Sequence, residues 1–299
     1  MVRTDVLFAA ALLVTFALGP TEARAWCQMT TGGRRPGPGE TCVIATPPDS
    51  FPLAWRRRCT SMSLSTFGSS TLSPGEVADV LRGAITTWEG VRCDGQPTGL
   101  HVEVLAEPNE CETASHLTGD RNVHSVIFVQ DGWVEERMHD ARAFAVTLVW
   151  HDPQSGEIWD ADMEINEQRG PFVVCPAEGC NDGEVDLPNV ITHEMGHYFG
   201  LAHTPDDALA TMWASAEPAE TLKRDLQPDD VAGLCAIYPP GTLPEECDPT
   251  PRGGLGLNCQ REEGCSCSVP GLPGRGSAAG AMGAIAIVAM MVAARRRRQ

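Results

Sequence analysis

Basic residues are scarce in this 299-residue chain: 22 Lys and Arg stand against 40 Asp and Glu, for a formal net charge of −18. That balance disfavours nucleic acid and anionic membrane surfaces as partners. Long hydrophobic runs are also lacking. The apolar stretch from Val6 to Leu18 and the Ala/Gly-rich one from Ala278 to Ala294 both fall short of the roughly 20 residues of a comfortable membrane span. No internal repeat occurs, which excludes solenoids and propellers. What the chain does have is length for a proper buried core and 12 cysteines, a usage that suits an oxidising compartment better than the cytosol.

The two ends carry sorting features. Arg3, the apolar run behind it and Ala23-Arg24-Ala25 read as a signal peptide over residues 1–25, with the mature chain starting at Trp26; an uncleaved anchor is the alternative. At the other end stand Cys265-Ser266-Cys267, a Pro/Gly spacer, the weak apolar run and Arg295 to Arg298. The arginines would hold that end on the cytoplasmic side. This arrangement over 265–299 resembles the myxobacterial-type C-terminal sorting signal. The resemblance implies contact with the membrane and with a sorting protease acting near Cys265 or Cys267, and hence an exported protein, attached to the cell surface or released. The residues by themselves also fit a permanent anchor.

Between the ends, residues 26–59 are dominated by Gly, Pro, Arg and Thr and read as a flexible leader or short pro-segment. Ser73-Pro74-Gly75-Glu76 opens an amphipathic helix with Val77, Val80, Leu81, Ala84, Ile85 and Trp88 on one face. Four strands follow, at Leu100–Leu105, His124–Val129, Ala143–Trp150 and Ile158–Ile165. Asp152-Pro153-Gln154-Ser155-Gly156 joins the last two as a hairpin, which predicts that Ile158–Asn166 lies beside its partner and at a sheet edge. Helices before and after such strands predict an α/β layer. Leu226-Gln227-Pro228-Asp229-Asp230 starts a closing helix that Pro239-Pro240 stops, and 241–264 reads as a Pro/Gly/acidic stalk. Of the ten cysteines from Cys27 to Cys259, only Cys175 and Cys180 are near enough in sequence to suggest a local loop; the other pairings stay open.

The chemistry sits in His193-Glu194-Met195-Gly196-His197-Tyr198-Phe199-Gly200-Leu201-Ala202-His203. Histidines four apart on a helix project from one face and can reach a single zinc ion. Glu194 cannot share that face, so it suits a base for water better than a ligand. Gly200 permits a positive φ that turns the chain for His203 to approach from another direction. Three neutral ligands with one open position describe a catalytic site, whereas structural zinc sites normally use four protein ligands. The glycine and third histidine lower the accidental rate of the bare motif by roughly a thousandfold.

With Met212 in Ala210-Thr211-Met212-Trp213, Thr204 after the third histidine and the segment Leu226 to Tyr238, the chain is similar to the metzincins, and within them to the matrixin-like branch, over about 60–240. The resemblance implies an α/β (α+β) catalytic domain with a twisted, mostly parallel sheet, an antiparallel edge strand, an active-site helix and a C-terminal helix. It implies a zinc metalloendopeptidase acting on protein or peptide substrates, with His193, His197 and His203 on the metal, Glu194 as general base and acid through a zinc-bound water, and Met212 as the methionine turn beneath. Ala214 stands where related families carry a metal-binding tyrosine, so no such ligand is implied. Nothing matches the matrixin pro-peptide cysteine motif, Cys59 being at best a distant echo and better read as a structural disulfide. No ligand set for the family's structural zinc is evident: His101, His116, His124, His139 and His151 read as satisfied or surface residues. Asp152, Asp160 and Asp162 are candidates for calcium around the hairpin. A zinc-containing surface adhesion module that hydrolyses nothing is the rival reading, and a cell-wall or small-substrate amidase is a second.

Overall fold

The computed structural model describes residues 26–33 and 36–259; the expected signal peptide and C-terminal sorting tail lie outside the described residues. The strands before the sheet's edge are β1 (Cys27–Gln28), β2 (Cys59–Leu64), β3 (Arg92–Cys93), β4 (Gln96–Pro97), β5 (His101–Val104) and β6 (Ser125–Val129), with helix α1 (Pro74–Glu89) between β2 and β3. Then come β7 (Ala145–His151), β8 (Ile158–Asn166), β9 (Phe172–Val173), β10 (Val185–Asp186), α2 (Leu187–Tyr198), β11 (Leu201–Ala202) and α3 (Pro228–Ile237). Among the described residues no helix is long and apolar enough to cross a membrane.

Helix α1 forms where its sequence directs. Ser73 and Glu76 complete a reciprocal capping box, satisfying two of the amide groups that a helix start leaves without partners. The six apolar residues of its predicted face are all buried. They lie against a five-stranded sheet of order β5-β2-β6-β8-β7, parallel except for the antiparallel β7–β8 pair. The period-2 alternation of strands divides the core in two. Val126, Phe128, Ala145, Val149, Ala161, Met163 and Ile165 face the helices, while Ile127, Val129, Val146 and Leu148 form a smaller cluster with Cys111, Val123, Trp133 and Ala143. This is a mixed α/β architecture with a mostly parallel sheet, consistent with the fold that the sequence resemblance implies.

Two expectations need correction. Strand β8 is not an edge: it is flanked by β6 and β7, and β7 closes the sheet. The hairpin makes β7 and β8 neighbours, but only the long-range parallel pairing of β6 with β8 decides which of the two stays open on its outer side. The second correction concerns the leader. Cys27–Gln28 pairs with Leu201–Ala202, the Met29 amide donates to Gly200 O and the Leu53 amide to Met29 O. Met29, Leu53 and Trp55 are core residues. Backbone pairing and a few large apolar anchors hold this Gly/Pro-rich segment, and composition averages them away.

The stalk likewise proves to be strapped down as far as Cys259. Disulfides join Cys59 to Cys247 and Cys111 to Cys259. Asn122 N donates to Gly254 O, Gly256 N to Asn122 O, and Leu255 and Leu257 pack on the smaller cluster. Further disulfides join Cys27 to Cys42, Cys93 to Cys235 and Cys175 to Cys180. The three links that close long loops, Cys59–Cys247, Cys93–Cys235 and Cys111–Cys259, restrict the unfolded chain most strongly.

On β8 the polar positions Asp160, Asp162 and Glu164 turn to the smaller cluster's side and are buried. They are anchors for loops. Asp162 accepts from the Ser115 and Ser125 amides at 2.8 and 2.7 Å, and Glu164 from the Ala114 amide at 2.9 Å, Arg137 at 3.2 Å and His139 at 2.7 Å. Burial pushes both aspartates well above the ordinary carboxylate range; Glu164 is desolvated too, yet His139, the Ala114 amide and Arg137 hold it below. Asp152 instead caps the hairpin turn, accepting from the Gln154 amide at 2.7 Å. The three calcium candidates therefore do not converge, and none belongs to a metal-ligand group among the described residues.

His124 is fully buried, its Nδ1 donating to Ser61 O at 2.6 Å. Burial drives its pKa down to about 4 despite that hydrogen bond. Native His124 thus stays neutral where the unfolded chain takes up a proton, so its contribution is full above about pH 6.5 and is lost as pH falls towards about 4. Asp160 and Asp162 act in the opposite sense, since native protonation stabilises as pH falls. The comparison that isolates the histidine is between wild type and His124→Asn, whose amide can still donate to Ser61. Between pH 7 and 4 the wild type should lose stability relative to the variant by about 3 kcal/mol, read from urea unfolding at each pH. Parallel pH curves for the two proteins would contradict a buried neutral imidazole.

Candidate active site

Helix α2 carries the first two histidines, and its ends are held from several directions. At its start, Asp186 caps the Asn189 amide at 3.1 Å and receives Arg224 Nε at 2.6 Å. A carboxylate at this end also complements the helix dipole. Trp88 Nε1 donates to Thr192 O at 2.8 Å and ties α2 to α1. At the other end Trp55 Nε1 donates to Tyr198 O at 2.8 Å and Tyr238 Oη to Phe199 O at 2.9 Å, which satisfies carbonyls that the terminating helix leaves over. Gly200 then adopts φ +92°, and a Cβ there would stand 2.5 Å from Leu53 O, so both conformation and space require glycine. β11 pairs with β1 immediately before His203, and the leader thereby helps to fix the third histidine.

The three imidazoles meet. His197 Nε2 lies 3.2 Å from His203 Nε2, and one nitrogen from each of His193, His197 and His203 falls within 4.8 Å of the others, all three residues being buried. His193 Nδ1 donates to Thr211 O at 2.6 Å and His197 Nδ1 to Leu201 O at 2.8 Å. A carbonyl can only accept, so each bond places the ring proton on Nδ1 and leaves Nε2 as the nitrogen whose lone pair a metal would take. Two nitrogens about 2.05 Å from one tetrahedral zinc would be roughly 3.3 Å apart, and the observed His197–His203 separation fits. The donor set of neutral imidazoles suits zinc as well.

Met212 packs directly under the helix. A Cβ on Gly196 would meet its Sδ at 2.2 Å, so this glycine is the gap through which the turn approaches. The turn is held by Asp230 of α3, which accepts from the Thr211 amide at 2.8 Å, the Met212 amide at 3.0 Å and the Gln227 amide at 2.8 Å. A chain of contacts therefore runs from α3 through the turn to His193. Sequence reading missed this role of Asp230, although an aspartate three residues into a helix is a recognisable cap signal. Thr204, next to the third histidine, donates its amide to Met212 O at 3.0 Å and closes the turn from the other side.

Glu194 follows His193 on α2, is fully buried, and accepts from Thr147 Oγ1 of β7 at its Oε2, 2.6 Å away. Of the remaining histidines, His101 is exposed beside Glu89, His116 Nδ1 lies 2.9 Å from Asp160 Oδ2, His139 binds Glu164 and His151 is half-buried. His101 and His151 lie on strands and His116 and His139 in loops, and none of the four joins the triad. Apart from the triad, the ligand-like group among the described residues is Cys175, Cys180 and Asp186, whose thiols are consumed by a disulfide and whose carboxylate is engaged by Arg224.

A buried histidine triad with a glutamate on the same helix, and a methionine packed under that helix, is a donor set that suits a catalytic zinc. Comparison with known proteins agrees: residues 122–239 match the matrixin family of peptidases. A 63-residue stretch is 44% identical to Metalloendoproteinase 1-MMP of Arabidopsis thaliana. That stretch covers 21% of this chain and 17% of the relative. Together these support a matrixin-like zinc metalloprotease.

Proposed function

We propose that this protein is an exported, surface-attached or released zinc-dependent endopeptidase. The observation that carries the reading is the convergence of three buried imidazoles beside Glu194. His193, His197 and His203 would hold zinc, which when bound supplies a Lewis acid that polarises the scissile carbonyl and acidifies water. Glu194 takes the proton of the attacking water and returns it to the departing amine. A peptide substrate adds as a further strand along the outer side of β7, so that backbone hydrogen bonds align the bond to be cut. The disulfides support an oxidising compartment.

Digestion of a proteome-derived peptide library, read by mass spectrometry, tests this. Cleavage within peptides, abolished by a chelator and restored by zinc, is the expected result. A zinc-loaded protein that leaves every peptide intact would favour the adhesion or amidase readings instead.

A further inference from the structure

Strand β7 presents alternate residues to its two sides. Val146 and Leu148 belong to the smaller cluster, while Ala145 and Val149 face the helices. Between those two apolar residues the helix-facing position is Thr147, which is fully buried. A buried hydroxyl requires a partner, and this one finds it in Glu194: Oγ1 is 2.6 Å from Oε2 and 3.3 Å from the Glu194 main-chain oxygen. The hydroxyl has a single proton, and the shorter, charge-assisted contact takes it. Threonine is stiff at χ1, and Thr147 pairs with Met163 in the middle of the β7–β8 ladder. Its hydroxyl is therefore a fixed point on the sheet.

We infer that Thr147 is a positioning residue for Glu194, fixing the carboxylate from the same strand along which the substrate docks. The inference rests on the peptidase reading above. Thr147 need not touch substrate or metal. Its hydroxyl sets the plane of the carboxylate relative to the histidine cluster, and because its backbone belongs to the docking edge, the alignment of the peptide and of the base share one strand. Loss of such alignment lowers turnover and leaves ground-state binding intact.

The experiment uses the full chain as Thr147→Val, Thr147→Ala and Thr147→Ser, with kcat and KM measured on a peptide the wild type cleaves, and zinc content and thermal unfolding recorded alongside. Valine is near-isosteric and lacks the hydroxyl; alanine guards against misfit of the extra methyl. Both should lose about tenfold in kcat, the equivalent of one hydrogen bond of about 1.4 kcal/mol, with KM within about twofold and zinc retained. Serine should recover most of the loss. Wild-type kcat in the valine and alanine variants, a loss confined to KM or zinc content, or a serine variant as slow as valine would each overturn the inference alone. A zinc-replete wild type that cleaves nothing would overturn the peptidase reading and this inference with it.

Discussion

Glu194→Ala should bind zinc as tightly as the wild type and lose at least a hundredfold in kcat. The size follows from what general-base catalysis contributes, about 10² to 10⁴ in rate. Retention of the metal follows from the ligand geometry, because Nε2 of His197 and His203 already stand at zinc-like separation and the His193 and His197 tautomers are set by carbonyls of Thr211 and Leu201. None of those three contacts runs through the carboxylate of Glu194. Metal analysis paired with single-turnover kinetics makes the measurement. Cleavage within a few-fold of wild type would remove Glu194 from the mechanism, and concurrent loss of zinc would make it a ligand.

The second large effect is expected at Gly196. Helix propensity alone predicts that alanine here would stabilise α2 by about 1 kcal/mol. The packing predicts the opposite sign. The new Cβ would lie 2.2 Å from Met212 Sδ and 2.9 Å from Trp88 Cζ2. Neither neighbour has open space to move into: Trp88 is fully buried and tied to Thr192 O, and the Met212 side chain is buried on a turn that Asp230 holds. Overpacking of this kind costs about 1 to 3 kcal/mol, sometimes more. Because the displaced turn also carries Thr211 O, the partner of His193, Gly196→Ala should lower zinc affinity together with the melting temperature. A variant that melts higher and keeps its zinc would show that the turn does not close on the helix in this way.

Much of the fold was legible because its signals are local. Ser73, Pro74 and Glu76 begin α1, and its apolar spacing names the six residues that are buried. Pro228 stands at the first turn of α3. Asp152 and Gly156, the latter at φ +73°, make the β7–β8 turn. The leader and the stalk were illegible for the converse reason. Their few anchors, Met29 and Leu53 at one end, Leu255 and Leu257 at the other, are separated by Gly and Pro, and their partners lie far along the chain. The edge strand was misassigned because hairpin geometry is symmetric between its two strands.

At the site itself, the chain's own spacing already groups the histidines: four residues along a helix and a left-handed glycine are short-range constraints, and they hold whatever surrounds them. Thr147 had no such mark, and the cap signal of Asp230 pointed only to its local partner Gln227. The hydroxyl reaches Glu194 only after β7 is laid over α2, and the carboxylate reaches the Thr211 and Met212 amides only after α3 docks. Residues adjacent in sequence thus determined which atoms can meet a metal. Packing between distant elements decided which groups hold those atoms still, because hydrogen bonds across long loops depend on the whole core being assembled first.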